Sequence, residues 1–296
     1  MAASKLTGPR TLAIDIGGSH FKASVLDPSG TMVADEVKVE TPYPCPPSTF
    51  LATVGRLVEG LPARDRASVG FPGMVRAGRV LEVPALSRKR PGGKPFASSV
   101  AAWAGFDLAT ALREQLGVPV RVANDADVQG CAVVAGQGLE LVVTLGTGLG
   151  TALFYDGTLL PHLELSHAPF HRGRTFDVAL GDIRRRKIGN KKWTRLVRQA
   201  LADFDDTLLY DHVYLGGGNT EHLQVSFGPK VSIVDNTAGI TGGVRLWDQP
   251  DTLRASTRRR GVAPRAASAL PPDALPPDAD PAAPGPSIVE QTGPGA

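Results

Sequence analysis

The stretches LAIDIGGSHFKASVLD (residues 12–27) and LVVTLGTGLGTALFYDG (residues 141–157) share one plan, and that repetition constrains the fold more than any other feature of the chain. Each is an alternating apolar run, a glycine-rich turn, a second alternating run and an aspartate near the exit, and the two begin about 130 residues apart. Period-two alternation on both sides of a turn is the pattern of strands paired as a hairpin. A hairpin cannot bury its apolar face alone, so recurrence at domain spacing predicts two related lobes.

The rest of the pattern agrees with a mixed α/β architecture. Further strands are expected over 31–39, 66–71, 119–123 and 212–215. Helical spacing appears over 48–60, where Phe50, Leu51, Val54, Leu57 and Val58 share a face, over 106–116 through Leu108, Leu112 and Leu116, and again over 125–135 and 191–204. The expected division is an N-terminal lobe over 1–124 and a C-terminal lobe over 125–250, with the folded body ending near Trp247. Residues 251–296 are rich in Pro and Ala without apolar periodicity, which predicts a disordered tail.

Three glycine turns close expected strands: Gly17-Gly18-Ser19, Gly146-Thr147-Gly148, and Gly216-Gly217-Gly218. Glycine reaches positive φ and permits close approach, so such turns let backbone N–H groups converge on phosphate oxygens. Plain hairpin connections are the alternative for any one of them. The sequence contains no G-x-x-x-x-G-K-[ST], and GTGLG has the wrong spacing for the dinucleotide fingerprint, so a phosphate site here is of another design. Asp15, beside the first turn, would repel a phosphate unless a divalent cation lay between them. Mg²⁺, which takes one or two carboxylates with phosphate oxygens and waters, fits that need; an Asp that caps its own turn is the other reading.

VPVRVANDADVQG sets Asn124 and Asp125 where a strand stops and a helix begins. A carboxylate there can take a proton from an attacking hydroxyl, and either residue can cap the helix.

Taken in order, DIGGSHFK, GFPGMV, VRVANDAD, TLGTGLGTALFYDG, LELSH and YLGGGN resemble the ROK sugar kinases of the actin/hexokinase-like superfamily, nearest to the polyphosphate/ATP glucokinase branch, over about residues 11–245. The resemblance implies a two-lobed actin-like ATPase (ribonuclease H-like) fold with an interlobe cleft. It implies phosphoryl transfer from polyphosphate or ATP to the 6-hydroxyl of glucose or mannose, with Asp125 as general base and Asn124, Glu164, His167, Asp177 and the Gly73 turn at the sugar. Asp15, Gly17, Gly18, Ser19, Lys22, Thr144, Gly146, Thr147, Gly148, Gly216, Gly217 and Gly218 would face the donor, with Asp15 toward magnesium. Ser166 stands where the family has glycine, and Ala85 where related kinases often have asparagine. Residues 168–190 lack the cysteines that hold zinc in many members, so zinc is not expected. A homodimer is implied by common family habit. The rivals are an ATP-only kinase for another sugar, such as N-acetylmannosamine or fructose, and a noncatalytic sugar sensor.

Arg184, Arg185, Arg186, Lys187, Lys191, Lys192, Arg195 and Arg198 crowd one segment within an overall formal charge of only +3. This basic run suits a polyphosphate track and equally a solvated helix face opposite Trp193, Leu196, Val197, Ala200 and Leu201. No nucleic-acid motif accompanies it, and ten residues before the first strand leave no room for the DNA-binding domain of ROK repressors, so nucleic acid is not an expected partner. With two cysteines, no run of about 20 apolar residues and no signal-like N-terminus, neither a disulfide framework nor a membrane span is expected, and a cytoplasmic location is.

Overall fold

The computed structural model describes residues 8–91, 93–234 and 238–250; the tail expected over 251–296 lies outside the described residues. Along the chain, β1 (Thr11–Ile16), β2 (His20–Leu26), β3 (Val37–Glu40) and β4 (Arg66–Phe71) are followed by a small hairpin, β5 (Met74–Arg76) with β6 (Arg79–Glu82), and then by β7 (Val120–Asn124). The first five-stranded sheet has the order β3-β2-β1-β4-β7. The second is made by β8 (Leu139–Leu145), β9 (Leu149–Tyr155), β10 (Thr158–Leu159), then, after a separate hairpin of β11 (Pro169–His171) and β12 (Arg174–Thr175), by β13 (His212–Gly216) and β14 (Val231–Ile233). Its order, β10-β9-β8-β13-β14, repeats the first. In each sheet the opening strand of the repeated hairpin lies at the centre, antiparallel to the strand that follows it and parallel to the strand on its other side.

Eight helices are described: α1 (Pro47–Leu57), α2 (Ala97–Trp103), α3 (Leu108–Leu116), α4 (Asp125–Val133), α5 (Phe176–Leu180), α6 (Asp182–Ile188), α7 (Asn190–Leu208) and α8 (Ala238–Arg245). The period of two in β1 sorts its side chains. Leu12, Ile14 and Ile16 enter a core with Phe21, Phe50, Phe71, Trp103 and Leu112. Ala13, on the opposite face, packs with Ile240 and Val244 of α8, and Asp15 shares that face. In the second sheet, Leu141, Val143 and Leu145 join Trp193, Val197 and Leu201 of α7, while Val142 turns toward Ala126 and Val128 of α4.

Phe50 is the hub of the first core, with ring centroids 5.4 Å from Phe21, 5.8 Å from Phe71 and 5.5 Å from Trp103. Phe50→Ala is expected to destabilise the protein by about 3–5 kcal/mol, read as a lower denaturant midpoint with an unchanged slope.

Two differences from expectation have local causes. The strand expected over 31–39 is confined to Val37–Glu40, because Asp27 Oδ1 draws in the amides of Ser29 and Thr31, and Ser24 Oγ donates to the Ala34 carbonyl. Helix α8, AGITGGVR, carries three glycines and gives a weak helical signal. Packing overrides that weakness: a Cβ on Gly243 would lie 2.9 Å from Ala13 Cβ, and one on Gly242 would collide with the Val128 carbonyl of α4. Ser68 Oγ donates to the Gly243 carbonyl at 2.5 Å, Trp247 Nε1 donates to Ser68 Oγ at 2.9 Å, and Arg121 Nη1 donates to the Leu246 and Gln249 carbonyls. Among the described residues no helix is long and apolar enough to cross a membrane.

Candidate active site

Asp15 and Asp125 reach one place from different elements. Asp15 lies opposite Lys22 in the β1–β2 register and opposite Gly70 in the β1–β4 register. Asp125 opens α4, immediately after β7. Gly70 separates the two: a Cβ built on it would lie 3.7 Å from Asp15 Oδ1 and 3.5 Å from Asp125 Cα. Any larger residue would fill the space between the carboxylates. A Cβ on Gly239 of α8 would sit 3.3 Å from Asp15 Oδ2, which fixes the fourth side of the site.

Burial pushes the Asp125 carboxyl up to about 7, and the negative charge of Asp15 adds to the shift. Asp127 and Glu164 push the same way, so four carboxylates share one electrostatic neighbourhood. The Asp15 carboxyl is also raised by burial, opposed by Lys22 and reinforced by Glu36.

Asn124 is held from two sides. Its Oδ1 accepts from Ala126 N at 2.8 Å as the helix cap, and its Nδ2 donates to the Gly73 carbonyl at 3.1 Å. Both sequence readings of this residue are therefore physically compatible, since a capped amide has a fixed orientation. Asp125 Oδ1 accepts from the same Ala126 amide at 2.9 Å.

The glycine turns are braced from behind. In the first, the Gly17 carbonyl accepts from Thr41 Oγ1 at 2.7 Å, the Gly18 carbonyl from the Tyr43 hydroxyl at 2.8 Å, and the Ser19 carbonyl from Thr41 N at 2.9 Å. The second and third abut each other. Asn219 N donates to the Leu145 carbonyl at 2.9 Å and Asn219 Nδ2 to the Gly146 carbonyl at 2.8 Å. Gly217, at φ +89°, lies against the Leu145 backbone. Thr144, the last residue but one of β8, lies opposite Gly216.

Asp177 stands at the second turn: its Oδ1 accepts from Leu149 N at 3.0 Å, and a Cβ on Gly148 would collide with the same carboxylate. At the other end, Glu164 Oε1 accepts from Ser166 Oγ at 2.6 Å, and the exposed His167 donates its backbone N–H to the Glu164 carbonyl at 3.2 Å. Asp127, His162, Gly70, Asn219, Thr41 and Tyr43 have no assigned role in the sequence reading. A buried acid one turn into NDADVQG is the only one of these with a visible signal, because charge is rarely placed within an apolar helix without a partner.

A family model described as the ROK family matches residues 11–161, just over half of the 296. The chain belongs to the ROK family. The polyphosphate glucokinase of Mycobacterium tuberculosis (strain CDC 1551 / Oshkosh) is 29% identical over 245 residues, covering 77% of this chain and 88% of that one. The inorganic polyphosphate/ATP-glucomannokinase of Arthrobacter sp. strain KM superposes with a TM-score of 0.67 at 26% identity, covering 81% of this chain and 98% of that one. A ROK glucokinase from Streptomyces griseus, solved with glucose and AMPPNP, shares the fold at a TM-score of 0.60 and 19% identity over 80% of this chain and 98% of its own. The fold of this ROK protein is thus the two-lobed actin-like one expected from its motifs.

Proposed function

We propose that this ROK protein is a hexokinase transferring a phosphoryl group from polyphosphate or ATP to the 6-hydroxyl of glucose, in a cleft that closes between the lobes over 1–124 and 125–250. The observation that carries the reading is the convergence of Asp15 and Asp125 on either side of Gly70. Kinship with polyphosphate glucokinases and a glucomannokinase supports the choice of sugar and donor.

Asp125, ionised above about pH 7, accepts the proton of the attacking hydroxyl. Asn124, oriented by the Gly73 carbonyl, and Glu164, oriented by Ser166, hold neighbouring hydroxyls in register for in-line attack. The amides of the braced turns face the donor phosphates, with Lys22 and Ser19 at the first turn. His167 and Asp177 complete the sugar contacts, with Asp177 Oδ1 held by the amide of Leu149 beside the Gly148 turn. Among the described residues no group of three or more His, Cys, Asp or Glu is placed to hold a metal ion. A donor-bound magnesium asks for less, and Asp15 fits it: a carboxylate beside the first glycine turn, with Lys22 opposite it and the negative charges of Glu36 and Asp125 near enough to favour a cation. When bound there, Mg²⁺ would neutralise charge on the transferred group. A homodimer stays part of this reading.

For the donor, the basic segment divides. Arg185 Nη2 pairs with Asp182 Oδ1 at 2.6 Å and Arg186 Nε with Asp182 Oδ2 at 2.7 Å, so two of its cations share one internal carboxylate. Lys191, Arg195 and Arg198, at helical spacing on α7, instead line a cavity of about 400 Å³ with Thr194, Gln224 and Val225. Its Gln224 and Val225 come soon after the Gly216–Gly218 turn in the chain, and we assign the outer phosphates of polyphosphate to this cavity.

The decisive assay is glucose-6-phosphate formation by the purified chain with ATP or polyphosphate, with and without magnesium. Magnesium-dependent product with polyphosphate is the expected outcome; no product with either donor removes the kinase reading. Replacing Lys191, Arg195 and Arg198 together by Ala is expected to raise KM for polyphosphate roughly tenfold or more, increasingly so at low salt, and KM for ATP far less. Equal effects on both donors would detach polyphosphate from this cavity.

A further inference from the structure

His162 lies between two acids. Its Nδ1 is 3.0 Å from Asp127 Oδ1 on α4, and its Nε2 is 3.6 Å from Glu164 Oε2. The side chains of His162 and Asp127 are each only 5% exposed, and Nε2 is buried with no hydrogen-bond partner. Ser166 Oγ holds the other oxygen of Glu164 at 2.6 Å. Burial raises the Asp127 carboxyl, opposed by the hydrogen bond and charge of His162; a ring protonated on both nitrogens gives Asp127 a charged donor and faces Glu164 with the second N–H, whereas a neutral imidazole has one N–H to offer. Burial opposes that charge, yet the hydrogen bond to Asp127 and the charges of Asp127 and Glu164 outweigh it and push the imidazole up to about 10. Glu164 is correspondingly held below its usual range: burial raises it, but the hydrogen bond from Ser166 and the interaction with His162 outweigh that.

Asp127 is two positions beyond Asp125 on the same helix, and Glu164 belongs to the segment leading to His167. The pair Asp127–His162 therefore ties the helix that begins with the proposed base to the strip that would hold the sugar. We infer that His162 is a positioning residue for sugar binding: an imidazolium clamped to Asp127 that fixes the Glu164 carboxylate, ionised and in place, as the acceptor for a hexose hydroxyl. The inference rests on the proposed hexokinase function. It adds a residue that reaches the substrate only through Glu164, and whose loss falls on sugar affinity and leaves the donor and the chemical step alone. It also gives Asp127 and Glu164 one internal cation that does not depend on the donor.

The test compares the full-length parent with His162→Asn, Glu164→Gln and the double variant, with KM and kcat for glucose, KM for the donor, and calorimetric glucose affinity. His162→Asn is expected to weaken glucose binding and raise its KM roughly tenfold or more, with kcat within about threefold and donor KM unchanged. The double variant is expected to be within about twofold of Glu164→Gln alone, because residues acting as one unit are not additive. Parental glucose affinity in folded His162→Asn, a loss shared by donor KM and kcat, or multiplying effects in the double variant would each overturn the inference. If His162→Asn does not fold, Cε1–H exchange of the parent, assigned to single histidines by mass spectrometry, decides: His162 is expected to stay an imidazolium at pH 8, and a neutral ring overturns the clamp. A parent that binds glucose but forms no glucose-6-phosphate would sink the kinase reading alone, and the affinity comparison would still judge His162. A parent that does not bind glucose overturns both.

Discussion

Asp125→Asn is expected to lower kcat for glucose phosphorylation by about 10²–10⁴-fold, the usual contribution of a positioned acid–base group, and in the same molecule to raise stability at pH 8. The two effects have one cause. Burial and the neighbouring Asp15 charge lift the Asp125 carboxyl from 3.8 to about 7 in the folded protein. Between those values the native state binds more protons than the unfolded chain, so its stability falls as pH rises from about 4 to about 7, and stays lower above that. An amide relieves the burden while its oxygen can still accept from Ala126 N, as Asp125 Oδ1 does at 2.9 Å. The gain at pH 8 should be on the order of 1–3 kcal/mol, vanishing near pH 4. Parental kcat should rise with pH through about 7 as the base ionises. Thermal midpoints at pH 4.5 and 8, beside kcat from pH 5.5 to 8.5, check both parts. A folded Asp125→Asn with turnover within a few fold of the parent would show that another group takes the proton.

Gly217→Ala is expected to damage both donors at once. At φ +89° any side chain is strained, by roughly 1–3 kcal/mol, and a Cβ would lie 2.6 Å from Leu145 N and closer still to the Leu145 carbonyl oxygen. Backbone cannot swing aside as a flexible side chain would. Relief requires the third turn to lift from the second, which breaks the Asn219 bonds to Leu145 and Gly146. We expect KM for ATP and for polyphosphate to rise at least roughly tenfold together, with a lower thermal midpoint. Gly228→Ala is the control: no atom lies within 4 Å of its Cβ, and its stability should change by less than about 0.5–1 kcal/mol. Unchanged donor KM values in Gly217→Ala would mean that the abutting turns are not the donor site.

The parts of the molecule that were legible in its sequence are those whose cause is local. Period-two runs such as TLAIDI and LELVVTL declared β1 and β8, and the glycine turns declared where those hairpins bend. Leu108, Leu112 and Leu116 declared α3, and all three are buried. Helix α8 was not legible, since AGITGGVR is a poor helix whose glycines matter only once α4 and β1 lie against them. The same limit applied within the site. Asp125 and Asn124 could be picked out because a strand end and a helix start are visible in one window. The partnership of Asp127 with His162, 35 residues apart, exists only after the second sheet is in place. The bond from the amide of Leu149 to Asp177 Oδ1, 28 residues apart, is likewise a product of folding that no window of sequence shows.

The last described helix covers the face of the first sheet that carries Ala13, Ser68 and Asp15, and the Ser68–Gly243 bond spans 175 positions. During synthesis that face must therefore wait, uncovered, until nearly the whole chain has emerged from the ribosome. Contacts of such separation are slow to form, and the waiting surface is a natural client for chaperones. The amino-terminal half, made alone, would lack the helix that covers Ala13 and Ser68, so the first sheet is completed only by the far end of the described fold.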